Sequence, residues 1–284
     1  MPAEEDEELR VSTLELFFDL VFVFVITRLA TMVEHDLTWA GVGRAALVFV
    51  VLYWMYSAFV WLTNQLPPTS TAVRLFLVAG MAAFLVCAFA TPRAFSGDGV
   101  YFGVGLMLVV LVHAGLFALA YGWGVLTWAP YNVLGAGLVI WAGTVDAWWR
   151  YVLWLLPLAI GVLPARTVMR ARPDQVITLR PGHFVERHGL LIIVAFGESV
   201  VAVGAAAPSH ALHLDTLGVA LLGLALSAAL WWVYFDGDDE RGEEAMREAD
   251  AVGRLRLAFS VYFGAFTAIL LGIVLLAAGT VLAL

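Results

Sequence analysis

The sequence predicts an all-α, polytopic bundle of about nine transmembrane helices. Three observations lead there. Hydrophobic residues make up 62% of the 284 positions and charged residues only 13%. A soluble domain is roughly half apolar and a quarter charged. The mean hydropathy is +0.91, and apolar stretches recur at the length needed to cross a hydrocarbon core, about 20 residues.

By that length the spans fall near 14–33, 40–62, 72–91, 100–121, 124–143, 148–165, 188–206, 213–236 and 256–280. Pro130, Pro157 and Pro164 interrupt the fifth and sixth, where proline is expected as a kink. The acidic segment 236–250 is expected as a soluble loop after the Trp231, Trp232 and Tyr234 cluster, which reads as an interfacial aromatic anchor. The N-terminus is acidic, and no small-residue cleavage site follows the first apolar run, so a retained helix is expected.

All 15 basic residues are arginine. With the N-terminus inside, inner segments hold Arg10, Arg74, five arginines from Arg166 to Arg187 and four from Arg241 to Arg256. Outer segments hold Arg44, Arg93 and Arg150, and Arg28 lies within the first span. This asymmetry predicts a cytoplasmic N-terminus. The net charge of −8 is concentrated in Glu4–Glu8 and Asp236–Asp250, so it gives no reason to expect nucleic acid as a partner. Membrane lipid is the expected environment, and an oligomer is compatible with it. The lone Cys87 supports neither an internal disulfide nor a cysteine metal site.

The chain divides into an N-terminal half (1–165), a cytoplasmic loop (166–187) and a C-terminal half (188–284). The openings of the two halves, Leu14–Leu20 and Val185–Leu191, share a glutamate followed by a polar group entering the bilayer. A six-helix repeat with an incomplete second half would explain this, since transporter folds often contain internal repeats.

Ionisable groups inside spans are costly and point to function. Glu198, within Gly197-Glu198-Ser199, lies about ten residues into the seventh expected span. It suits a proton relay or cation site, with hydrogen-bonded packing as the alternative. Ser199 beside it is a further candidate for the path. Glu15 and Asp19, four residues apart, share a helix face and must bind a cation, share a proton or pair with arginine. His183, Glu186, Arg187 and His188 read as an inner-surface polar network rather than a metal site. His113 reads as a packing residue, and Asp146 and Asp236 sit at span ends where solvation suffices. No phosphate loop, Gly-x-Ser-x-Gly or HExxH motif is present, and the absence of lysine excludes a retinal-type Schiff base. No enzyme activity, metal or cofactor is therefore expected.

Ser12-Thr13-Leu14-Glu15-Leu16-Phe17-Phe18-Asp19-Leu20-Val21-Phe22-Val23-Phe24 resembles the opening signature of the bacterial low-temperature-requirement A (LtrA) family. Glu186–Ile193 with Gly197-Glu198-Ser199 resembles its second signature, and Trp231–Asp236 a third. The resemblance implies a multi-pass bacterial inner-membrane protein; it brings no settled molecular activity. Two departures stand out. Family members tend to run longer, so the chain is expected to be shortened at its C-terminal end. The ninth span reads Ala258-Phe259-Ser260-Val261-Tyr262-Phe263 where the resemblance leads one to expect a histidine.

The leading expectation is a transporter or channel for a cation, a proton or a small solute. The alternative is a non-transporting protein that senses or organises the membrane and whose buried acids are structural.

Overall fold

A computed structural model describes residues 10–122, 129–171, 179–206 and 214–283. Among these the chain is helical with no strand. The helices are α1 (Thr13–His35), α2 (Trp39–Gln65), α3 (Thr71–Ala90), α4 (Gly99–Tyr121), α5 (Ala129–Ala142), α6 (Arg150–Ala171), α7 (Pro181–Ala206), α8 (Leu214–Phe235), α9 (Asp238–Glu248), α10 (Ala251–Leu257) and α11 (Phe266–Ala283). A π-helical segment, Ala258–Ala265, joins α10 to α11. Among the described residues helices lie in every expected span, residues 124–128 of the fifth falling outside them, and six stretches are long and apolar enough to cross a bilayer.

Local chemistry explains where the helices start. The Ser12 side chain accepts from the Glu15 amide while the Glu15 side chain accepts from the Ser12 amide, a capping box that fixes the first turn of α1. Thr38 and Ser70 cap α2 and α3 in the simpler way, each accepting from a backbone amide three residues on.

Two sequence expectations are corrected. The acidic segment is not a loop: α9 occupies it. Glu, Arg and Ala favour the helix, Arg247 pairs with Glu243 at 2.5 Å across one turn, and Met246 is fully buried. The expected loop 166–187 is helical at both ends, through Ala171 and from Pro181 onward. Pro181 opens α7 because proline is pre-set for the first helical turn and lacks only an amide that would go unpaired there.

Helix α1 is the hub, packed against α2, α3, α7 and α11. Helices α3 to α6 pack in series, each on the next. Glycine allows the α4–α5 contact: a Cβ on Gly103 would lie 2.6 Å from the Ile140 backbone, and one on Gly99 2.8 Å from Gly143. Gly99 and Gly103 form a Gly-x-x-x-Gly face, which lets two membrane helices approach backbone to backbone. The hub's interior is aromatic, with Phe18, Phe22, Tyr53, Tyr56, Phe59 and Phe84 all fully or almost fully buried. Tyr56 stacks on Phe22 with ring centroids 4.2 Å apart.

Candidate functional site at the α1–α7 seam

Helices α1 and α7 run parallel, because Glu15 and Asp19 meet His183 and Arg187 near the two N-termini and Thr27 meets Glu198 further along. On α1 the two acids are four residues apart. On α7 the imidazole and the guanidinium have the same spacing. At 3.6 residues per turn each pair occupies one face, so an acidic row on α1 lies against a basic row on α7.

Arg187 is fully buried, as are Asp19 and, at 1% exposure, Glu15. Its Nη1 donates to Glu15 Oε1 at 3.0 Å and also to the Thr63 hydroxyl. Its Nη2 and Nε donate to Asp19 Oδ1 at 3.0 and 3.3 Å. The rings of Phe18 and Tyr56, 6.1 Å apart, both lie beside the guanidinium with centroids 5.7 and 6.0 Å from Cζ. Such aromatic neighbours suit arginine, whose planar and weakly hydrated cation stacks on aromatic faces.

Antiparallel α2 completes the shell. The Tyr56 hydroxyl donates to Asp19 Oδ1 at 2.8 Å. The Asn64 amide clamps the start of α7, donating to the Arg180 carbonyl at 3.0 Å and accepting from the Arg180 amide at 2.9 Å. The same Asn64 nitrogen lies 3.3 Å from His183 Nδ1. With Asn64 donating to Nδ1, the imidazole proton is assigned to Nε2, which lies 3.2 Å from Glu15 Oε1.

Two carboxylates thus share one guanidinium. All the donors to Asp19 reach its Oδ1, and its buried Oδ2 has no hydrogen-bond partner among the described residues. A buried acceptor without a partner is costly, so this oxygen is a place where a proton or a cation would be held.

Glu198 lies apart from that cluster. It is half-buried, and Thr27 donates to its Oε1 at 2.6 Å. Thr27 is eight residues beyond Asp19, about 12 Å at 1.5 Å per residue. Buried Phe22, Val23 and Ile26 fill the interval. Asp19 and Glu198 therefore lie on one seam without meeting. Since α7 begins at Pro181, Glu198 is further from its helix start than the expected span implied.

The remaining candidates separate. Ser199 turns to α8, where its hydroxyl lies 3.2 Å from that of Ser227 beside a cavity of about 230 Å³ between α7, α8 and α11. Glu186 is exposed and accepts from the Val11 amide. His188 contacts the Phe184 carbonyl at 2.8 Å and packs against Tyr262 and Phe266. Of the four residues expected as one inner-surface network, only His183 and Arg187 join the ion cluster. His113 is a packing residue, edge-on to Phe59 and 3.3 Å from the Ala58 carbonyl.

Sequence reasoning missed Tyr56, Thr63 and Asn64. They lie seven and one residues apart along α2, and the first two share a face. That polar spacing within an apolar helix was the available signal.

The model of the bacterial low temperature requirement A protein (LtrA) family matches residues 10–284. The chain belongs to the LtrA family. It is an integral membrane protein, as that membership and its apolar helices indicate. A curated relative, an uncharacterized protein of Rhizobium meliloti (strain 1021), is 28% identical over 256 residues. That match covers 85% of this chain and 62% of the relative's length. No solved structure matches.

Proposed function

We propose that the chain is a membrane transporter or channel for a cation, a proton or a small solute, using the carboxylates of the α1–α7 seam. The observation that carries this is the make-up of the buried cluster: two carboxylates against one guanidinium and one imidazole, with an Asp19 oxygen left without a partner among the described residues. Intramembrane acids in that condition mark ion and proton pathways. Asp19 would hold the transported ion or proton at one level of the seam and Glu198 at another. The apolar interval between them would be the barrier that must open during the cycle, with Arg187 releasing and recapturing Asp19. On the arginine distribution the protein would sit in the bacterial inner membrane with its N-terminus in the cytoplasm. No covalent chemistry is assigned to these residues.

The alternative, a non-transporting protein with structural acids, draws on the same cluster. Arg187 donates to three side chains on two other helices and would hold α1, α2 and α7 together with no ion in transit.

Reconstitution into liposomes decides between them. Under an imposed proton or monovalent-cation gradient, the wild-type protein is expected to conduct. Glu198→Gln and Asp19→Asn are expected to fall to the rate of empty liposomes. A wild-type protein that moves nothing under any gradient defeats the transport reading and leaves the structural one.

A further inference from the structure

Along α1 from Phe17 on, the residues left partly or wholly exposed are Phe17, Leu20, Val21, Phe24, Thr27, Arg28, Thr31, Glu34 and His35, and every other one is buried. These positions form one continuous stripe at helical spacing, since each step is three residues or one. The stripe changes character halfway. Towards Ser12 it is wholly apolar, and from Thr27 to His35 it is wholly polar. Phe24, just before the change, packs against Phe89 of α3 with centroids 5.6 Å apart. Thr27, just after it, donates to Glu198 of α7. The uncovered strip of α1 is therefore a groove flanked by α3 and α7, with Glu198 at the point where its floor turns polar.

Acyl chains cannot cover that polar half. Arg28, Glu34 and Glu198 are ionisable groups only partly buried by the protein, and charged side chains within spans face water or protein rather than lipid. Among the described residues the buried Arg28 Nε makes no hydrogen bond and the guanidinium forms no ion pair. Its charge needs water close by. At the His35 end, Asp36 and Arg44 pair at the mouth of the groove.

The geometry points to a water-filled access groove, open at the His35 end of the bundle, that brings water and small ions to Glu198 and stops there. Its ligand class is water and the protons or small cations it carries, with the Glu198 carboxylate as the terminal acceptor. The inference rests on the transport reading for its purpose, but its physical content is solvent access. Access can be measured without any flux.

Cysteine accessibility in lipid nanodiscs, where both faces are reachable, tests it. The lone Cys87 is fully buried, so the parent chain supplies an unreactive background. Single variants Thr27→Cys, Thr31→Cys and Leu20→Cys are treated with the membrane-impermeant cationic thiol reagent MTSET, with exposed Ser96→Cys as the reference. Reaction requires the thiolate and hence water. Thr27→Cys and Thr31→Cys are expected to react within about tenfold of the reference, and Leu20→Cys at least about a hundredfold slower.

Unreactive thiols at both threonine positions in well-folded protein overturn the groove. So does a Leu20→Cys thiol as reactive as Thr31→Cys, because the groove would then not stop at Glu198. Glu34→Cys at the mouth is a second reporter if a threonine variant fails to fold, and it is expected to react like the reference. Access without wild-type flux defeats transport and leaves the groove. Flux without access does the reverse.

Discussion

Replacing Arg187 with methionine removes the cation that two buried carboxylates share while keeping most of the side-chain volume. In the wild type its guanidinium donates four hydrogen bonds, three to Glu15 and Asp19 and one to Thr63. All four are charge-assisted, each worth about 1.5–3 kcal/mol, and three of them join opposite charges. Their sum overstates the loss, because an unpaired buried acid takes up a proton rather than remain charged. Removing one partner of a buried ion pair usually costs about 3–5 kcal/mol, and that range is expected here. The assay is the fraction of monodisperse protein left after a heating series in detergent, with apparent midpoints compared between variants. Replacing all three charges together, as Glu15→Gln, Asp19→Asn and Arg187→Met, is expected to recover most of the lost stability, since no unpaired charge then remains. An Arg187→Met protein as stable as wild type would refute the reasoning. A triple variant no better than the single one would refute it equally.

Two other variants read the packing and the π segment. Gly103→Ala places a methyl 2.6 Å from the Ile140 backbone, so α4 and α5 must separate; a loss of about 1–3 kcal/mol is expected. Gly137→Ala on α5, where the added carbon meets nothing within 4 Å, is the control and should leave the midpoint unchanged. Tyr53 donates to the Tyr262 carbonyl at 2.6 Å within the π-helical segment. Tyr53→Phe should lower stability by about 0.5–1.5 kcal/mol, and hydrogen exchange should rise at residues 258–265 before it rises in α1.

Composition and run length determined by themselves that the chain is an all-helical membrane protein, because the bilayer dictates both the length and the polarity of a span. Positions that follow local chemistry were equally legible. The Ser12–Glu15 box starts α1, and Glu15 with Asp19 fall on one face by periodicity alone. The signature stretches at Ser12–Phe24 and Glu186–Ser199 pointed to the LtrA family. Where the segment 236–250 was read by charge as a loop, helix propensity and the burial of Met246 prevailed.

Tertiary structure decided the partnerships. The predicted topology already runs α1 and α7 in one direction, but nothing in the order of the residues says that they lie side by side, so Arg187 could not be assigned to Glu15 and Asp19 across about 170 positions. Nor could Thr63 and Tyr56 be assigned to that cluster, since a hydroxyl on an apolar helix gains meaning only from what faces it. Glu198 and Asp19 entered as comparable intramembrane acids, and only packing distinguished them. One is enclosed around a guanidinium, and the other stands half-buried where the open face of α1 turns polar. Periodicity is a property of one helix and can be read along the chain. Charge compensation belongs to the space between helices and exists only once they pack.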